Sequence, residues 1–112
     1  MKNKNSELIS MLSECAAACN NCSTACLQEK DVQKMTQCIR LDIDCAQICE
    51  ITAAFVARNS EHAMHLMKEC AEICSKCAKE CAKHSDMEHC KVCADLCKKC
   101  AEMCKTNTGV LN

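Results

Sequence analysis

The sequence predicts an all-α fold: an antiparallel up-down four-helix bundle built from a duplicated helical hairpin, with a cysteine-lined core. Three observations carry that prediction. Cysteine recurs at steps of four, three and four residues, the spacing of one face of a helix. The cysteine pattern occurs twice, 55 positions apart. Proline is absent and the single glycine, Gly109, lies close to the end, so little in the chain interrupts a helix.

The duplication sets the elements. Cys15, Cys19, Cys22 and Cys26 return as Cys70, Cys74, Cys77 and Cys81, while Cys38, Cys45 and Cys49 return as Cys93, Cys100 and Cys104. Cys90 and Cys97 have Met35 and Asp42 in the corresponding places. The first helix is expected over about 6–28. Asp31 can cap a second reaching about 58, and Asn59 or Ser60 a third over about 60–83. The run Ser85-Asp86-Met87-Glu88 has the Ser-x-x-Glu form of a capping box and opens a fourth over about 86–105. Residues 106–112 read as a frayed tail. A length of 112 residues predicts one domain, 1–112. The short connections imply antiparallel neighbours, and the repeat relates the two hairpins by a pseudo-twofold axis.

Each cysteine run also repeats every seven residues, the spacing of a bundle seam, so the four stripes should face one axis. Ile39, Leu41, Ile48, Ile73, Val92 and Leu96 flank the stripes, and Ala16 to Ala18, Ala71, Ala78 and Ala101 add little bulk. The interior is expected to be a tube of thiols.

Composition removes several functions. With a net charge of −1 and Phe55 as the only aromatic residue, nucleic-acid binding is not expected. No apolar run approaches the ~20 residues of a membrane span. Ser10, Ser13 and Glu14 interrupt the first helix too early for a signal peptide, so the expected location is cytoplasmic. In that reducing compartment, dense cysteine suggests metal or redox chemistry rather than disulfides. Helix geometry agrees, because Cβ atoms at i and i+4 stand about 5–6 Å apart, beyond the ~3.5–4.5 Å of a disulfide. No constellation of activated Ser, His or carboxylate suggests an enzyme.

A lone cysteine is often only a small core hydrophobe. Sixteen on one axis would fill a bundle poorly and forfeit apolar burial. Soft thiolates select Cu(I), zinc or iron–sulfur clusters. A zinc ion held by four thiolates keeps two negative charges, which is costly to bury repeatedly. One Cu(I) per thiolate leaves the interior near neutral. A linear sulfur–copper–sulfur unit spanning ~4.6 Å, taking ~2.3 Å per bond, would suit sulfurs on adjacent turns such as Cys15 and Cys19. Iron–sulfur clusters are usually wrapped by loops, for which the chain has no Gly or Pro.

The repeated C-x-x-x-C-x-x-C-x-x-x-C without an export signal resembles the cytosolic branch of the bacterial copper storage proteins, over about Ser6 to Lys105. The resemblance implies a four-helix bundle whose inward cysteines hold many Cu(I) ions, assembled as a homotetramer. It implies Cys15, Cys19, Cys22, Cys26, Cys38, Cys45, Cys49, Cys70, Cys74, Cys77, Cys81, Cys90, Cys93, Cys97, Cys100 and Cys104 as ligands, with a copper chaperone or small-thiol donor as partner. The alternatives are an iron–sulfur electron-transfer protein of ferredoxin type and a zinc-thiolate buffer.

Other side chains extend the ligand set. Met35 offers a soft thioether at a seam position, His84 continues a stripe three residues after Cys81, and His89 adjoins Cys90. Asp42 interrupts the second stripe, and its hard carboxylate reads as a solvated or hydrogen-bonded acid rather than a ligand. His62 and His65 read as surface residues at the opposite end. Leu8, Leu12, Phe55, Val56, Leu66 and Met67 should plug that end, whereas Asp31, Met35, His84, Met87 and His89 mark the other as the mouth.

Overall fold

The computed structural model describes residues 4–111, and the side chains of 5–107; Met1 to Asn3 and Asn112 lie outside the described residues. Four helices run α1 (Lys4–Cys26), α2 (Thr36–Ala57), α3 (Ala63–Ala82) and α4 (Glu88–Leu111), with a 3-10 turn at Val32–Met35 before α2. Each helix packs on two neighbours, closing the ring α1–α2–α3–α4, and the body measures 44 × 24 × 19 Å. This is the expected bundle.

The turns differ in detail from the sequence reading. Asn59 ends α2 rather than capping α3. It takes φ 53°, a left-handed conformation that asparagine tolerates well. The amide of Ser60 donates to the Phe55 carbonyl and that of Asn59 to Val56, the two bonds of a Schellman stop. The Ser60 hydroxyl then accepts from the His62 amide at 3.1 Å. Asp31 makes no side-chain cap bond; it pairs with Lys34 at 3.3 Å, and the 3-10 turn delays α2 to Thr36. Helix α4 opens at Glu88, so Ser85 is outside its first turn. Nor is the stretch after Lys105 a frayed coil. The helix continues to Leu111, because no proline stops it and the Asn107 amide holds the Met103 carbonyl at 2.8 Å.

Packing divides the interior into two zones. At the α2–α3 end, Leu8, Leu12, Val56 and Met67 are buried, forming the apolar plug, and Arg58 covers the half-buried Phe55 ring at 4.7 Å. Burying a large aliphatic side chain contributes about 1.5–3 kcal/mol, so this short zone anchors a bundle whose remaining core is mostly small side chains. The rest of the axis belongs to sulfur.

Candidate metal centre

All sixteen cysteines are fully buried free thiols. The four-three-four step keeps each set on the inner face of its helix, and the antiparallel turns bring the four sets to one axis. The sulfurs touch. Cys38 and Cys81 are 3.4 Å apart, Cys19 and Cys97 3.5 Å, Cys45 and Cys74 3.5 Å, and Cys49 lies 3.7 Å from both Cys70 and Cys74. The expected open tube is therefore a filled column of sulfurs at non-bonded contact. Several neighbours on adjacent turns are 3.7–4.0 Å apart, as in Cys70–Cys74 and Cys77–Cys81. A linear copper bridge needs ~4.6 Å, so loading spreads such a pair by about 1 Å or less.

The column falls into overlapping four-ligand groups whose donor atoms all lie within 4.8 Å of one another. Cys15, Cys49, Cys74 and Cys100 form one; Cys15, Cys19, Cys45 and Cys97 a second; Cys19, Cys77, Cys93 and Cys97 a third. Because groups share members, the sites are continuous rather than isolated. Each thiolate can bridge, which suits a chain of monovalent soft ions better than separate tetrahedral centres.

At the end expected to be the mouth, the group is Cys22, Cys26, His89 and Cys90. The Nδ1 of His89 lies 3.5 Å from Cys90, 3.6 Å from Cys22 and 3.8 Å from Cys26. Its Nε2 lies 3.1 Å from Glu29, whose carboxylate can only accept. The proton therefore resides on Nε2, and the Nδ1 lone pair faces the sulfurs. Glu29 gave no signal in the sequence because it reaches His89 from the neighbouring helix pair, 60 positions away in the chain. His84, in the turn after α3, instead directs its Nε2 back to Glu80 near the end of that helix, at 3.2 Å. Met35 is buried at the entry to α2, within the core. His62 is an exposed residue beside Glu61 at the far end, and His65 is exposed as well.

Of the two environments expected for Asp42, solvated or hydrogen-bonded, the structure shows the second: it is fully buried and grouped with Cys22, Cys38 and Cys81. Thiols converge on it: Cys77 donates to Oδ1 at 3.2 Å, Cys93 at 3.3 Å and Cys81 at 3.5 Å, while Cys38 reaches Oδ2 at 3.8 Å. Burial, and then negative charge at Cys93 and Cys77, pushes its carboxyl up to about 10. In the reduced protein it is held as a neutral acid at the centre of the ligand set.

The thiols share their protons in the same way. Hydrogen bonds from Cys22 and Cys81 pull Cys38 down, whereas Cys81 is pushed up by its bonds to Cys22 and Cys38. Burial, and then the charge of Cys38, pushes Cys90 up to about 11. Metal binding must then release protons, since the thiolate is the ligand.

The family model for copper storage proteins matches residues 1–109. The chain belongs to the copper storage protein family. It is 38% identical to the Cu(I)-bound copper storage protein BsCsp3 of Bacillus subtilis, with a TM-score of 0.88 over 93% of this chain and 97% of that one. Against the copper storage protein Ccsp of Streptomyces lividans loaded with 10 copper equivalents, identity is 39% and the TM-score 0.88, covering 92% and 82% of the two chains. It is also 40% identical over 78 residues to the uncharacterized cysteine-rich protein YhjQ of Bacillus subtilis (strain 168), 70% of this chain and 71% of that protein.

Proposed function

We propose that this chain, acting as a single domain, is a cytosolic store that holds many Cu(I) ions on thiolates lining its bundle. The observation that carries the reading is the continuity of the sulfur column. Sixteen buried thiols in overlapping groups offer bridging soft ligands along the axis, with no charge left over at one ion per thiolate. The family and its copper-loaded relatives support storage rather than catalysis. They favour neither the iron–sulfur nor the zinc alternative.

All sixteen cysteines serve as ligands in this reading. His89 receives copper at the mouth through Nδ1, while Met35 and His84 supply further soft or borderline donors there. Ions then pass inward by exchange between neighbouring groups, each step displacing thiol protons. A copper chaperone or a small thiol delivers the ion, and the working form is a homo-oligomer, a tetramer. Elemental analysis of protein purified from copper-supplied cells tests the assignment. Many coppers in a colourless protein are expected; a brown, iron-containing protein or one dominated by zinc would reject it.

A further inference from the structure

Thr52 Oγ1 is a buried side-chain oxygen with no hydrogen-bond partner among the described residues. The residue is 0% exposed and follows Cys45 and Cys49 on α2 at steps of seven and three, so it continues the cysteine stripe by one turn. Its level is the end of the sulfur column. Cys49 contacts Cys70 at 3.7 Å, and Cys45 meets Cys97 across the axis at 3.9 Å. Because α2 and α4 run parallel, advancing both members of that second pair by seven residues leads to Thr52 and Cys104. Beyond lies the plug of Leu8, Leu12 and Met67.

A hydroxyl in a helix ordinarily returns to a carbonyl three or four residues earlier. Others in this chain make such local bonds: Ser23 donates to the Asn20 carbonyl at 2.9 Å, and Thr36 to Gln33 at 3.0 Å. Asn107, the repeat counterpart of Thr52, holds the Met103 carbonyl at 2.8 Å. Thr52 forgoes that bond in a position where an unmade one is destabilising. The chain thus keeps a donor unpaired one turn along the stripe from Cys49, at the register level of Cys104.

We infer that the Thr52 hydroxyl is a hydrogen-bond donor to a metal-bound thiolate at the closed end, a positioning residue whose acceptor arrives with the last copper. This rests on the Cu(I) storage reading. Each Cu(I) that binds forms a copper–sulfur bond and expels the thiol proton to solvent, with no change of oxidation state. The thiol is a weak acceptor, whereas the resulting thiolate accepts a charge-assisted bond. The hydroxyl is therefore unsatisfied in the empty protein and satisfied in the full one, biasing the innermost site towards occupancy.

The test compares full-length wild type, Thr52→Val and Thr52→Ser, reduced and anaerobic, by thermal unfolding without metal and by Cu(I) removal with a chromophoric chelator. Thr52→Val should melt higher than wild type when empty, because the unpaired oxygen is gone. The same variant should release its last-leaving copper on the order of tenfold more readily. Thr52→Ser should retain that copper like wild type. Wild-type retention in Thr52→Val, a less stable empty Thr52→Val, or a Thr52→Ser that loses copper like Thr52→Val each overturns the role of the hydroxyl. Wild type that takes up no Cu(I) overturns the storage reading itself.

Discussion

Replacing Asp42 by Asn tests whether a neutral acid occupies the centre of the empty column. The amide keeps the size of the carboxyl and an oxygen to accept from Cys77, Cys81 and Cys93, but it cannot titrate. In the native protein the carboxyl is raised to about 10, against 3.8 in the unfolded chain. The sign follows from where the proton is. Between those values the folded state keeps the proton and the unfolded state has lost it, so raising the pH favours unfolding. The contribution is fully present below the unfolded value and is lost as pH rises towards about 10. The slope is about 1.4 kcal/mol per pH unit, or about 2.7 kcal/mol between pH 5 and pH 7. Thiol titrations are common to both proteins, so the difference between them isolates Asp42. Urea unfolding of the reduced apoproteins at pH 5, 6 and 7 is the assay. The stability of Asp42→Asn relative to wild type should climb by that amount across the range. Parallel pH profiles would show that Asp42 is charged in the fold, and the burial argument would fail.

Two further outcomes follow. Changing Met35, His84, Met87 and His89 together to alanine should slow stopped-flow Cu(I) uptake and removal by about tenfold while final capacity falls by at most an ion or two, because the thiol store remains; the His62/His65 double variant is the control, and slowing confined to that control would reverse the polarity of the bundle. The reduced apoprotein should already be helical by far-UV circular dichroism, since the sulfurs make a packed core without metal; a coil spectrum that becomes helical only on adding Cu(I) would contradict the filled column.

Much of this was legible in the sequence because helix geometry and ligand identity were written in the same residues. The four-three-four cysteine step gave both the inner face of each helix and the metal class, and the duplication gave the partner for each stripe. What the pattern could not convey depends on contacts between elements. Asp42 looked like a gap in one stripe, but thiols from α3 and α4 close around it and burial neutralises it. His89 was visible beside Cys90, whereas Glu29, which accepts from its Nε2, comes from the turn after the neighbouring helix α1. Capping residues misled because Asn59 serves equally well as a left-handed stop, the role the α2–α3 turn needed. The tail misled through its polar composition, which without proline does not end a helix. Thr52 carried no signal, since a threonine in a helix commonly satisfies itself.

If one continuous run of sulfurs holds the copper, the number of ions bound follows the number of thiols. Cu(I) should be titrated anaerobically into the reduced apoprotein against a chromophoric competitor, with thiols counted in the same sample. Saturation on the order of one Cu(I) per thiolate, about sixteen per chain, is the predicted result. Saturation near four per chain would mean isolated four-sulfur centres and would contradict the continuous column.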